Sequence, residues 1–218
     1  MITCHRKRGR AGIDAAGVLA AFRGVAVHDA WAPYDTYLDA QHQLCCAHVL
    51  RELAGIAETA PAGAWCWAGQ AAAALVAIQN LVTAAREHGH LDQAALAEQV
   101  HRYRSAAQIG ATQTQARSNP AMRRQHALAR RLIHRQDDYL RFTGDWRIPA
   151  DNNGSERDIC MIKLRQKISG CLRTLDGAQQ FCAIRSYLST AAKHGMRLFD
   201  SLVSLAERRP WIPAIQTT

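Results

Sequence analysis

The sequence predicts an α/β chain that is helical over most of its length. Two short apolar stretches, Val25-Ala26-Val27 after Gly24 and His42 to Cys46, have the size and composition of buried strands. The long segment from His48 to about Phe142 and most of the chain after Asn153 show helical spacing instead. With 218 residues, 48% hydrophobic and only 6% aromatic, there is apolar material for one core with an appended lobe. That apolar content excludes disorder as the dominant state. No run approaches ~18 consecutive apolar residues, so no membrane span or membrane partner is expected. The opening MITCHRKRGR is basic but has no apolar stretch behind it, unlike a secretory signal. The expectation is a soluble, cytoplasmic protein.

The elements follow in order. Asp14 to Phe22 reads as a short helix, Gly24 breaks it, and Val25 to Val27 forms the first strand, ended by His28-Asp29. Pro33 suits the first turn of a helix running through Tyr34, Tyr37 and Leu38. His42 to Cys46 is the second strand, parallel to the first, which puts polar residues of interest at the strand ends. Leu50, Leu53, Ala54 and Ala57 mark a helix stripe. Helices over Ala68–His88, Leu91–Arg117 and Asn119–Phe142 come next, punctuated by Gly89, Ser118-Asn119-Pro120 and Gly144. A helix from Asn153 to about Gln166 is broken at Gly170. Thr174–His194 follows with a stripe of Phe181, Ile184, Leu188 and Ala191, and Leu198, Leu202 and Leu205 mark a last helix before Pro210. Residues 1–47 are thus a piece of α/β core, 48–148 a helical insertion and 149–218 a helical return.

The seven cysteines are odd in number and scattered, which suits reduced thiols better than a disulfide framework. The formal net charge is +9 and it is clustered. Residues 1–10 carry Arg6, Lys7, Arg8 and Arg10 without an acid, and residues 117–147 carry eight arginines against Asp137, Asp138 and Asp145. Clustered positive charge suits a polyanion, because each neutralised phosphate releases counterions. A solvated helix face in an Arg-biased chain reads the same way.

Asp29 ends a strand, where open α/β sheets place reacting groups, but an Asx turn or helix cap is the commoner reason for an Asp there. With Asn153 as N-cap, Glu156 falls at N3 of a capping arrangement. The same position anchors an ionised carboxylate on a rigid element, which suits a metal ligand. Lys163 lies seven residues on, about 10.5 Å along the same helix face, and Arg157, Arg165 and Lys167 add charge nearby. Cys45-Cys46-Ala47-His48 holds half of a zinc-like C-x-x-H pair, but no second pair completes four ligands, so buried thiols and a capping His explain it better. No G-x-S-x-G or G-x-x-x-x-G-K element is present.

Three blocks, VAVHDAWAPYDTY, QLCCAHVLREL and DNNGSERDICMIKLRQKISGCLRTLDGAQQFCAIRSYLSTAAKHG, resemble the transposases of the bacterial insertion sequence 66 group over nearly the whole chain. The resemblance implies a DDE transposase with an incomplete ribonuclease-H-like α/β core and a large all-helical insertion. It implies that Asp29 is the second catalytic Asp and Glu156 the catalytic Glu, holding paired Mg²⁺ or Mn²⁺ ions. It places Asn152, Arg157 and Lys163 in or beside the motif, to orient the Glu or contact phosphate. Cys45 and His48 match a C-x-A-H element whose role stays open between packing and metal binding. DNA-contact candidates are Arg157, Lys163, Arg165, Lys167, Arg123, Arg124, Arg130 and Arg131. The implied partner is duplex DNA, at transposon ends and target, with self-association in addition and a nucleoid location when bound.

One departure weighs against these matches. The triad's first Asp should precede Asp29 on an earlier strand, yet Asp14, inside a predicted helix, is the sole earlier acid. The expectation is a truncated transposase, inactive by itself. The alternative is a DNA-binding or oligomerising remnant without catalysis.

Overall fold

The computed structural model describes residues 1–61, 63–167 and 172–214, and of residues 161, 163 and 165–167 the backbone alone. Its elements in chain order are α1 (Arg10–Asp14), β1 (Val25–His28), β2 (Gln41–Leu44), α2 (Cys46–Ala57), α3 (Trp67–His88), α4 (Gln93–Gln113) and α5 (Pro120–His134), then α6 (Gln136–Leu140), α7 (Asn153–Lys167), α8 (Leu175–Lys193) and α9 (Leu198–Ala206). Single 3-10 turns lie at Leu19–Ala21, Ala32–Thr36 and Arg141–Thr143. The protein is predominantly helical with a small two-stranded parallel sheet. Two compact units divide the chain: Phe22–Asn152, and Met1–Ala21 with Asn153–Thr218.

In the unit Phe22–Asn152, β1 pairs in parallel with β2, Val25 opposite Gln41 and His28 opposite Leu44. The predicted helix after Pro33 is only a 3-10 turn ending at Thr36, because Tyr37 leaves helical geometry to bury its ring and Leu38 is left exposed. α2 buries Cys46, Val49 and Leu53. Its seam is therefore rotated from the predicted stripe, and Ala54 faces solvent.

α3 is the core helix. It buries Trp67, Ala68, Ala71, Ala74, Leu75, Ile78, Val82 and Ala85, and it packs against both α2 and α4. The small alanines let the neighbouring backbones approach. Among the described residues α3 is the one helix long and apolar enough to cross a membrane, but here its apolar face serves the core of this unit. Gly89 ends it in a left-handed conformation (φ 74°), its N–H on the Ala85 carbonyl. Asp92 caps α4 by accepting from the N–H groups of Ala94 and Ala95, both at 3.0 Å. Asn119 caps α5 through the Met122 N–H, with Pro120 in the first turn.

α6 and the turn after it return to the sheet through Gln43, a fully buried glutamine on β2. Its Nε2 donates to the Tyr139 carbonyl at 3.1 Å and its Oε1 accepts from the Phe142 N–H at 3.0 Å. Both ends of the amide are satisfied, which offsets the cost of burying it.

In the second unit the predicted Asp14–Phe22 helix is replaced by α1, which stops at Asp14, and the 3-10 turn at Leu19–Ala21. Gly17 between them has φ 69° and breaks the helical run. α7 begins at Asn153 itself, so Asn153 opens the helix instead of capping it from outside, and Glu156 stays in the first turn. Thr174 caps α8, its Oγ1 accepting from the Gly177 N–H at 3.1 Å. α8 buries Ala178, Cys182, Leu188 and Ala191, whereas Ile184, expected on that stripe, is exposed. The predicted break at Gly170, with Cys171, lies outside the described residues. The six described cysteines are free thiols.

Candidate functional site

Asp29 follows the last residue of β1 and is exposed. Its Oδ1 accepts from the Trp31 N–H at 3.2 Å, an Asx turn. Between them Ala30 adopts φ 64°, a left-handed conformation uncommon for a residue with a Cβ. The Ala30 N–H points at His28 Nδ1, 3.2 Å away. Two successive amides of this turn are thus held by the side chains of His28 and Asp29. Among the described residues no cation pairs with Asp29.

His28 is buried at 3% exposure. Since Nδ1 accepts from an amide, the ring proton sits on Nε2, which donates to His42 Nδ1 at 3.0 Å. Tyr34 packs on the same ring with centroids 4.6 Å apart. Burial, followed by the His42 and Arg135 charges, lowers the His28 pKa to about 4 against the opposing pull of Asp35 and Asp29. The ring is neutral at physiological pH. Neither His28 nor His42 was singled out as a site residue from the sequence. The available signal was a histidine on each of two adjacent short strands, at positions that a parallel register places on one sheet face.

His28, Asp35 and His42 bring ligand atoms within 4.8 Å of one another, the one such trio among the described residues. Two features oppose cation binding there. His28 Nε2 carries the proton that bonds His42, and Asp35 is taken by Arg135 at 2.9 Å. The trio ties the loop after Asp29 to the helical part of the unit.

Glu156 lies on α7 with Asn153, Arg157 and Cys160, which occupy one helix face and line an open depression of about 420 Å³. Asp158, on another face, is bonded to Lys193 Nζ at 2.6 Å and Ser189 Oγ at 2.9 Å. Lys193 holds its carboxyl below the usual range. The side chains of Lys163, Arg165 and Lys167 lie outside the described residues. Asp29 belongs to one compact unit and Glu156 to the other, so each carboxylate is positioned by its own unit.

Cys45 is the N-cap of α2 and is buried; its Sγ accepts from the Asn152 N–H at 3.4 Å. The adjacent Cys46 N–H bonds the Ala150 carbonyl at 2.8 Å, and burial pushes the Cys46 thiol well up. These bonds pin the segment Ala150–Asn152, which leads into α7, onto the start of α2. His48 sits in the first turn of α2, half-buried.

The eight arginines of residues 117–147 divide into two groups. Arg131 pairs with Glu52, Arg135 with Asp35 and Asp138, Arg141 with Asp138, and Arg147 with Asp145. Arg117, Arg123, Arg124 and Arg130 are exposed, and among the described residues no carboxylate pairs with them. Arg117 instead donates to His126 Nε2 at 3.0 Å, which leaves the His126 Nδ1 proton for the Ala111 carbonyl at 3.1 Å. The DNA-contact candidates Arg123, Arg124 and Arg130 belong to the exposed group, whereas Arg131 is half-buried in an ion pair.

In comparison with known protein families, residues 1–180 match the family described as Transposase IS66 family. Searches of curated proteins and of solved structures find no match.

Proposed function

The chain belongs to the IS66 family of transposases, and from that premise we propose that it serves metal-dependent cleavage and joining of DNA strands through Asp29 and Glu156. The observation that carries this reading is Asp29, an exposed carboxylate at the C-terminal end of a parallel strand, one oxygen oriented by the Trp31 N–H. The parallel pair β1–β2 with that carboxylate at its end supports a ribonuclease-H-like core. Asp29 and Glu156 are hard oxygen donors of the kind Mg²⁺ and Mn²⁺ take. Such ions polarise phosphate oxygens and activate water or a 3′-hydroxyl. Within the chain, Asp29 holds negative charge at a fixed strand end. Glu156 presents its carboxylate from the first turn of a helix, and Arg157 beside it offers a phosphate contact.

Two carboxylates, Asp29 and Glu156, are assigned to the reaction. Asp14, the sole acid ahead of Asp29, closes α1 and pairs with Arg10 at 3.5 Å. Incubation of the chain with supercoiled plasmid in Mg²⁺ or Mn²⁺ tests the assignment. Nicking that vanishes in Asp29→Asn and Glu156→Gln would show that these two carboxylates suffice. Mn²⁺ binding that neither substitution weakens would overturn the reading.

A second reading, DNA binding without catalysis, rests on the exposed arginines of α5 and the loop before it. It expects duplex affinity to fall steeply with salt. Affinity that is flat between low and moderate salt would sink it.

A further inference from the structure

We propose that His28 is a positioning residue for Asp29: its Nδ1, aimed by His42, holds the left-handed turn at Ala30 that sets the Asp29 carboxylate. The proposal rests on the reading of Asp29 as a metal ligand and goes beyond it by naming what holds that ligand in place.

The chain must turn sharply at the end of β1, and it does so at an alanine. Left-handed geometry brings Cβ close to the following carbonyl, so an isolated Ala–Trp step does not choose it. Two acceptors compensate. His28 Nδ1 takes the Ala30 N–H at 3.2 Å and Asp29 Oδ1 takes the Trp31 N–H at 3.2 Å. The Asp29 bond uses one acceptor site of Oδ1 and leaves Oδ2 open, so the turn and a metal would draw on the same carboxylate. The His28 bond supplies a hold that is independent of it. His28 is itself oriented from three sides. Its Nε2 donates to His42 on the neighbouring strand, Tyr34 covers its ring, and burial leaves little room for another rotamer. The next loop residues are fixed too, because Asp35 is bonded to Arg135. The turn is clamped at both ends, and His28 is the clamp nearest the carboxylate.

An Asn at position 28 places its Oδ1 where Nδ1 stands and keeps the acceptor for Ala30. A Gln places its amide nearer the Nε2 position and does not. A glycine at position 30 removes the need for any clamp, since it adopts left-handed geometry without a Cβ penalty. The experiment is a Mn²⁺ titration of the full chain, read as paramagnetic broadening of the Trp31 amide. It compares wild type with His28→Ala, His28→Asn, His28→Gln, Ala30→Gly and the double variant His28→Ala with Ala30→Gly.

His28→Ala and His28→Gln are expected to need about tenfold more Mn²⁺, the equivalent of one unsupported left-handed residue. His28→Asn and the double variant are expected to return close to wild type, as a merely structural role for His28 would not. A wild-type titration in His28→Ala, or a double variant as weak as His28→Ala, overturns the proposal. Should His28→Ala fail to fold, equal behaviour of the Asn and Gln variants overturns it. Asp29→Asn is the control: if its broadening matches wild type, the reading of Asp29 as a ligand falls and the proposal falls with it. If Asp29→Asn loses the broadening while His28 variants keep it, the proposal alone fails.

Discussion

The indole of Trp67 lies against the backbone of Gly110 so closely that a Cβ on Gly110 would stand 2.4 Å from Trp67 Cδ2. This contact joins the first residue of α3 to the last turn of α4 in the core of the Phe22–Asn152 unit. Neither helix can move apart without uncovering Trp67, which is 3% exposed. A helical glycine normally gains stability on replacement by alanine, by about 1 kcal/mol. Here the new methyl meets a rigid ring, and overpacking of that kind costs about 1–3 kcal/mol. Gly110→Ala is expected to destabilise by on the order of 1 kcal/mol net in urea denaturation. Combining it with Trp67→Leu should reverse the sign of the Gly110→Ala increment, because the ring that forbids the methyl is gone.

The two groups of arginines call for opposite outcomes. Replacing Arg123, Arg124 and Arg130 together by alanine should leave the denaturation midpoint nearly unchanged. It should reduce the salt slope of duplex binding by about 3, near one for each lost phosphate contact. Arg131→Ala should do the reverse, lowering stability by about 1–2 kcal/mol through loss of the partly buried pair with Glu52. A salt slope unchanged in the triple variant would remove α5 from the DNA-binding surface.

Folding stability should fall with acid through His28. The unfolded chain takes up a proton at the ordinary histidine pKa of 6.5, while the buried ring resists it down to about 4. Between those values the unfolded state binds more protons, so stability rises with pH. It is complete above 6.5 and is lost progressively toward pH 4. The loss is on the order of 2 kcal/mol once partial solvent screening is allowed for. Urea melts at pH 7 and pH 4.5 read it, and His28→Asn should flatten the difference.

Asp92 satisfies two amides at the start of α4 with one oxygen. Asp92→Ala should cost about 1 kcal/mol and Asp92→Ser much less, since serine also caps. Hydrogen exchange at Ala94 and Ala95 localises the effect.

Much of this was legible in the chain itself. Gly89, Asn119-Pro120 and Thr174 end or begin helices where they were expected to, because caps and left-handed stops depend on a few neighbouring residues. Val25 and its partner stretch read as strands, and Asp29 read as a strand-end residue. The failures are instructive. Gly17 stopped α1 within a run that looks helical, and Tyr37 left its helix to bury a ring. Ala54 and Ile184 lie on helices correctly read but face solvent, because periodicity finds a stripe and packing decides its rotation.

By itself the sequence determined the helical texture, the two strands, the family and the carboxylate candidates, all carried by local spacing or by contiguous motifs. Tertiary structure alone decided which arginines are spent on Glu52, Asp35, Asp138 and Asp145 and which face solvent. It also brought His42 onto His28 across fourteen residues and seated Trp67 on Gly110. The reason is range. A cap or a turn is settled within about four residues of chain, whereas an ion pair, a ring proton's partner or the room for a methyl depends on which distant surface arrives beside it.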